Sequence, residues 1–206
     1  MRIVVFGASG GTGKALVAQA LDRGDDVVAF LHDEAKADFP EPVRVVVGDA
    51  IDPVAVDRAI HGVDAVLVAL GVIPWKAGTT LSDATKNIIA AMYDRGVTRL
   101  VVETGAHFAK GKKPLLWRIS ASLPLLRGMF TDKSKQESVV MQSGLDWVLV
   151  RPSNLTNGSL TKRVTVADAV PLHTLSRVSR ADVAYVMLEA AHSDTYSKRA
   201  VTVTGA

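Results

Sequence analysis

A short apolar run, Arg2-Ile3-Val4-Val5-Phe6, passes directly into Gly7-Ala8-Ser9-Gly10-Gly11-Thr12-Gly13, and Lys14 to Leu21 then follows with helical spacing. Strand, glycine turn and helix in that order restrict the fold more than any other stretch of the chain. The glycines at 7, 10 and 13 form G-x-x-G-x-x-G. Gly7 permits the sharp turn, Gly10 lets a pyrophosphate approach the backbone, and Gly13 lets the helix pack closely on the strand. With Ser9, Gly11 and Thr12, the first amides of the helix and its positive dipole end form a phosphate cradle. A plain connecting turn is the alternative, but four glycines in seven residues make it a poor explanation. The pair Gly13-Lys14 also suggests a nucleoside triphosphate loop. That loop needs a Ser or Thr after the lysine and four residues between its glycines. Ala15 follows the lysine and position 8 is Ala, so triphosphate hydrolysis is excluded.

A chain of 206 residues with 48% hydrophobic content can bury a sizeable core, and one domain over 1–206 is expected. With no cysteine, disulfides and thiolate metal sites are excluded and a reducing, cytoplasmic setting is expected. Met1 leads straight into the first strand, which leaves no room for a signal peptide. No uncharged apolar run reaches membrane-spanning length. Charge is uneven: residues 1–98 carry 9 basic and 13 acidic side chains, and residues 99–206 carry 15 and 8. A positive second half suits an anionic ligand, although a solvated basic surface explains it equally well.

Further along, residues 26–31, 43–47, 65–70, 99–102 and 147–150 read as strands, and 201–203 as a last edge strand. Residues 53–60, 79–95, 133–143 and 180–192 read as helices between them. Near-continuous Val/Ile/Leu strands imply a sheet covered on both faces. The expected fold is α/β: a Rossmann-type, doubly wound parallel sheet in three α/β/α layers.

In such a sheet the ligand lies outside the carboxyl ends of the strands. The end of strand two selects the cofactor, since an acid there bonds the ribose of NAD whereas basic groups accept the 2′-phosphate of NADP. The chain offers a mixture, His32-Asp33-Glu34-Ala35-Lys36. Asp33 has the spacing of an NAD reader, while His32 and Lys36 can flank a phosphate. Asp49 after strand three is placed for adenine. Ala69-Leu70-Gly71 after strand four passes beside the cofactor. Thr104, Gly105, Ala106 and His107 after strand five, with Arg151, Pro152, Ser153 and Asn154 after strand six, face the nicotinamide.

Reducing a simple carbonyl needs hydride on carbon and a proton on oxygen. Short-chain dehydrogenases supply the proton with Tyr-x-x-x-Lys, but Tyr93 is followed four later by Val97, Tyr185 by Glu189 and Tyr196 by Ala200. An acceptor that draws its proton from water, a flavin or a quinone, is therefore favoured. His107 is an acid, an anion binder or a polar loop residue. No His/Asp/Glu spacing suggests a metal. Residues 107–130 combine Lys110, Lys112, Lys113 and Arg118 with Trp117, Met129, Phe130 and several leucines. That mixture suits a small planar anionic substrate, a lid, an oligomer face, a membrane-surface helix or a packed core pair. Pro124 argues against the membrane helix.

The glycine motif, Val45-Val46-Val47-Gly48-Asp49-Ala50, Asp64-Ala65-Val66-Leu67, the run 87–92 and Ser143-Gly144-Leu145 resemble the atypical short-chain dehydrogenase/reductases over almost the whole chain. The likeness is strongest to the flavin reductase/biliverdin-IXβ reductase family within the NAD(P)H-binding, NmrA-like group. It implies a monomeric Rossmann domain using NADPH to reduce flavins, biliverdins and related acceptors, with Gly7, Gly10, Thr12 and Gly13 on the family's phosphate motif. The family's strand-two arginines fall on His32 and Lys36. Its active-site serine falls on Gly105 and its histidine on Asn154, so the resemblance carries the cofactor site further than it carries biliverdin chemistry. Residues 151–156 look like the broader NmrA-like members, some of which sense nucleotide redox state.

Two functions are compatible with these residues. One is an NADP(H)-dependent reductase of a planar acceptor such as FMN or riboflavin, a biliverdin or a quinone. NAD(H) remains an open second cofactor, and Thr104, Gly105, His107 and Asn154 are the candidate catalytic positions. The other is a non-catalytic NAD(P) sensor acting on a protein partner through residues 110–130. Neither involves a nucleic acid or a membrane, and a monomer or weak oligomer is expected.

Overall fold

Successive strand residues point to opposite faces, so the valine-rich runs can be buried on both sides only if helices cover both. The computed structural model, which describes residues 1–71, 80–109 and 124–206, has this arrangement. In chain order the elements are β1 (Arg2–Phe6), α1 (Gly11–Asp22), β2 (Asp26–Leu31), β3 (Arg44–Val47), α2 (Pro53–Ile60), β4 (Ala65–Val68), α3 (Thr80–Arg95) and β5 (Arg99–Glu103). They continue with α4 (Pro124–Gln142), β6 (Asp146–Pro152), β7 (Asn154–Thr156), β8 (Val164–Ala167), β9 (Arg177–Ser179), α5 (Arg180–His192) and β10 (Arg199–Gly205).

Eight strands form one sheet in the order β3-β2-β1-β4-β5-β6-β10-β8. All neighbours are parallel except β8, which runs antiparallel to β10. The alternation is clean in β1. Ile3 and Val5 join a core with Leu16, Val17 and Ala20 of α1 and Val183 and Met187 of α5. Val4 and Phe6 join the opposite core with Val56 and Ile60 of α2, Ile88 and Met92 of α3 and Val140 of α4. The expected Rossmann-like α/β architecture is present.

Strand order reverses between β1 and β4, where the chain leaves β1 toward β2 on one side and later returns to β4 on the other. A crevice opens at the carboxyl end of such a switch. Gly7 stands there with φ +83°. A Cβ on Gly7 would lie 2.6 Å from the Ala69 carbonyl oxygen, and one on Gly13 would lie 2.1 Å from the Gly7 carbonyl oxygen. The turn is thus packed backbone against backbone.

Three details differ from the sequence reading. The stretch 201–203 belongs to β10, which is interior, pairing Thr202 with Arg151 of β6 and with Ala167 of β8. The edge is β8, whose half-buried Val-Thr-Val-Ala carries a weak apolar signal. Pro124 does not break a helix but begins α4, where its missing N–H costs nothing. The short parallel pair β7–β9 has three residues per strand, too few for a periodic pattern.

The crowding at Gly7 separates two contributions that left-handed glycines usually mix. Gly24 has φ +80° with nothing within 4 Å of an added Cβ. Gly24→Ala should therefore cost only the conformational term, about 1–2 kcal/mol. Gly7→Ala should cost clearly more, since the Ala69 backbone must also move. Denaturant unfolding of both variants checks this, and equal losses would mean that the turn is not close-packed.

Candidate functional site

The helix that follows the glycine turn begins without a side-chain cap: its N-cap is Gly10, with extended φ and ψ and no capping hydrogen bond. The first intrahelical bond is Lys14 N–H to Gly10 O at 2.8 Å, so the amides of Gly11, Thr12 and Gly13 precede it. Such amides, together with the helix dipole, suit a phosphate. The Gly10 amide is bonded to the Gly7 carbonyl at 3.0 Å, and the Gly7 and Gly13 contacts hold the turn in place. This chain's residues therefore fit a dinucleotide's pyrophosphate.

The ends of β2 and β3 come together beside that turn. Lys36 Nζ lies 3.2 Å from Asp33 Oδ2, and His32 Nδ1 lies 3.7 Å from Asp49 Oδ2. Asp33 also accepts the Ala35 amide, and the Lys36 hydrogen bond holds its carboxyl below the usual value, with that amide adding to the effect. Asp49 accepts the Ile51 amide at 3.1 Å, and Asn87 of α3 fixes the same turn by donating to the Ile51 carbonyl at 2.9 Å. The four side chains proposed from sequence as ribose, phosphate or adenine readers thus form two acid–base pairs on an exposed rim. Ala69-Leu70-Gly71 leaves β4 at the crevice, with Ala69 N–H bonded to Phe6 O.

At the carboxyl ends of β5 and β6 a cavity of about 240 Å³ collects the residues proposed for the nicotinamide side: Thr104, Gly105, His107, Pro152, Ser153 and Asn154. Phe108, Met129, Phe130, Lys133 and Leu155 complete its wall. The His107 ring packs on Phe130 with centroids 4.6 Å apart, and Phe108 meets the same ring edge-on. Several polar groups here are already committed. Thr104 Oγ1 donates to Glu137 at 2.6 Å, Ser153 Oγ to Thr204 at 3.1 Å, and the Asn154 amide to the carbonyls of Thr174 and Ser176.

Under the cavity floor lies a buried polar network. Glu137 takes a bidentate pair from Arg151, at 3.0 and 2.7 Å. Lys133 Nζ donates to the Thr104 carbonyl at 3.0 Å. Glu103, at the end of β5, accepts from Thr12 Oγ1 at 3.2 Å and so ties the first turn of α1 to the network. Burial pushes the Glu103 carboxyl up, against the lowering influence of Lys133, Thr12 and Arg180. Burial likewise pushes the Lys133 ammonium down, against Glu103, Glu137 and Asp132. Asp132 accepts the amides of Leu81 and Ser82, which anchors α3 to α4.

Lys133, Glu103 and Glu137 were not singled out from sequence, and Arg151, expected to face the nicotinamide, is instead buried against Glu137. The signal for Lys133 was present: it stands one helical turn after Met129, so Met129-x-x-x-Lys133 occupies the spacing in which a tyrosine would precede the lysine. Searching forward from tyrosines misses this. Most of the stretch 110–130, the suggested partner surface with Lys110, Lys112, Lys113, Trp117 and Arg118, lies outside the described residues. Among those described, no group of three His, Cys, Asp or Glu could hold a metal, and no helix is long and apolar enough to cross a membrane.

Comparison with known proteins gives the family and the fold. A family described as NAD(P)H-binding matches residues 7–194. An uncharacterized protein of Mycobacterium tuberculosis is 26% identical over 197 residues, covering 94% of this chain but 19% of its own length. This chain thus spans about a fifth of that relative. A Streptomyces griseus protein named (4-alkanoyl-5-oxo-2,5-dihydrofuran-3-yl)methyl phosphate reductase is 25% identical over 210 residues, 98% of this chain and 67% of that one. Among solved structures, a Streptococcus pneumoniae protein provisionally described as an NADH-flavin reductase superposes with TM-score 0.80 at 18% identity, covering 100% of both chains.

The raised Glu103 value fixes the sign of a pH effect. The folded chain holds this proton more tightly than the unfolded chain, so the stabilisation is complete below pH 4.5 and declines as pH rises through the folded value. Glu103→Gln keeps a partner for Thr12 and removes the titration. Its stability relative to wild type should improve as pH increases from 4.5 toward neutrality. Parallel stability–pH curves for the two proteins would contradict the assignment.

Proposed function

The chain belongs to the NAD(P)H-binding family, and from that premise we propose that it is an NADP(H)-dependent reductase of a small planar acceptor, FMN or riboflavin being the first choice. The observation that carries this reading is the cavity between β5, β6 and α4. It lies at the same sheet edge as the uncapped helix, has aromatic and thioether walls, and presents one lysine with no tyrosine before it. A flat ring can lie against Phe108, Met129 and Phe130, where offset stacking and sulfur–aromatic contact favour it. The name of the pneumococcal structure supports a flavin, and that of the Streptomyces protein supports a conjugated carbonyl acceptor.

When bound, the nicotinamide cofactor supplies a hydride, which needs a ring acceptor held close and in line. The protein's own part is positional. The turn 7–13 holds the pyrophosphate, Asp49 meets adenine, and His32 with Lys36 takes the 2′-phosphate. Thr104 presents its backbone to the cavity, because its hydroxyl is bound to Glu137. Lys133 Nζ keeps a proton at the cavity wall, fixed by the Thr104 carbonyl and charge-balanced by Glu103 and Glu137. It can donate that proton to a ring oxygen or nitrogen as hydride arrives at carbon or nitrogen, and solvent then restores it. Such a protein acts as a monomer in the cytoplasm. A sensor that binds cofactor without turnover is the competing reading, and the lysine in the cavity wall favours catalysis over it.

Steady-state oxidation of NADPH by FMN tests the proposal. Turnover should exceed the reaction in free solution and saturate with FMN, and a rate independent of protein would overturn it. Lys133→Met should lower kcat by about a hundredfold, the low end for a positioned acid. In the wild type, activity should fall as pH rises through the lowered lysine value, below 10.5, since the protonated form is the active one. That limb should be absent in the variant.

Cofactor choice is a separate outcome. Lys36 is already drawn to Asp33, and a 2′-phosphate placed beside it gains a charge-assisted bond. Because Lys36 is exposed and screened by salt, the expected preference for NADPH over NADH is about tenfold, the low end for such a bond. Calorimetric titration of Lys36→Ala should show the preference gone. An NADH preference abolished by Asp33→Ala would instead make Asp33 the ribose reader.

A further inference from the structure

The fourth glycine of the turn, Gly11, is not required by a left-handed backbone, and the phosphate motif is complete without it. Its surroundings give another reason for its size. A Cβ on Gly11 would lie 2.5 Å from Cδ and 2.9 Å from Nε of Arg180, the first residue of α5. The arginine stem therefore crosses the first turn of α1 in the space a side chain at position 11 would fill.

Arg180 is held there from several sides. Ser179 caps α5 by accepting the Asp182 amide at 2.9 Å, and Asp182 in turn accepts from Ser179 Oγ and from the amides of Thr161 and Lys162. Burial alone would raise the Asp182 carboxyl, but these hydrogen bonds hold it below its usual value. The guanidinium meets Asn157 Oδ1 at 2.6 Å, a neutral acceptor. Among the described residues no carboxylate forms an ion pair with it, although it is near enough to Glu103 to lower that acid. A cation is thus stationed against the positive end of an uncapped helix, bonded directly to an amide oxygen, while the nearby acid, Glu103, is bonded to Thr12. Two positive features facing each other are unfavourable until an anion lies between them.

We propose that Arg180 is a clamp for the cofactor's pyrophosphate, reaching it across Gly11 from the start of α5, and that position 11 is glycine to admit the arginine stem. The inference rests on the NAD(P)H-binding reading and adds to the turn a residue 169 positions away in sequence. A planar guanidinium can bond two phosphate oxygens at once, which lysine cannot do. Asn157 keeps the side chain extended across the helix end. Closing over the pyrophosphate from β9 and α5, the clamp also connects cofactor binding to the segment that follows β7.

Binding of NADPH to wild type, Arg180→Ala and Arg180→Lys, followed by tryptophan quenching or calorimetry, tests the clamp, with adenosine 2′-monophosphate as a probe that lacks the pyrophosphate. Arg180→Ala should weaken NADPH by about tenfold or more, as expected for loss of a charge-assisted contact, with adenosine 2′-monophosphate unchanged. Arg180→Lys should fall between. Gly11→Ala should also weaken NADPH, and the double variant should lose less than the two single losses combined, because both disturb one contact. Circular dichroism and thermal melting establish that each variant is folded. Unchanged NADPH affinity in a folded Arg180→Ala protein would overturn the inference while leaving the cofactor reading intact. Equal weakening of both probes, or additive losses, would also overturn it. Failure of the wild type to bind NADPH would overturn the cofactor reading and the clamp together.

Discussion

The backbone contact between Gly7, Gly13 and Ala69 sets the geometry of everything around it. With a Cβ at Gly13 falling 2.1 Å from the Gly7 carbonyl, the helix α1 can approach β1 only if position 13 has no side chain, and the Ala69 backbone can pass Gly7 only if that position has none. That approach aims the helix end at the crevice between β1 and β4. It also brings Thr12 within reach of Glu103, so the phosphate turn and the β5 end are mechanically one unit.

The second organising element is the set of charges beneath the cavity. Glu137 with Arg151 is a buried bidentate pair, and such pairs fix geometry more reliably than they add stability. Here the geometry fixed is that of β5, β6 and α4 at their shared end. Thr104 is fastened through its hydroxyl to Glu137 and through its carbonyl to Lys133. Desolvation works in opposite directions on Glu103 and Lys133, drawing their values toward each other.

Much of this was legible in the sequence. The parallel sheet followed from apolar runs alternating with helical spacing, and the helices at 53–60 and 180–192 lie where that spacing placed them. The turn at 7–13 and the strand-end residues were identifiable because chain order locates carboxyl-end loops without knowledge of packing. What escaped depended on contacts distant in sequence. Arg180 lies on Gly11 because α1 and α5 pack on one face of the sheet, which no local pattern encodes. Lys133, in Asp-Lys-Ser-Lys, reaches the Thr104 carbonyl only through the packing of α4 beside the end of β5. Residues 201–203 were taken as an edge because β8, four half-buried residues, gave no strand signal of its own.

The proposed reaction passes hydride from NADPH to a ring held in the cavity between β5, β6 and α4. Anaerobic single-turnover mixing of the NADPH-loaded protein with FMN, followed at the cofactor and flavin absorbance bands and repeated with NADPH deuterated at the transferred position, measures this step directly. The account predicts that both bands decay at one rate, that the rate saturates with FMN, and that deuterium slows it. Loss of cofactor absorbance at the protein-free rate, or no isotope effect from either face of the nicotinamide, would contradict it.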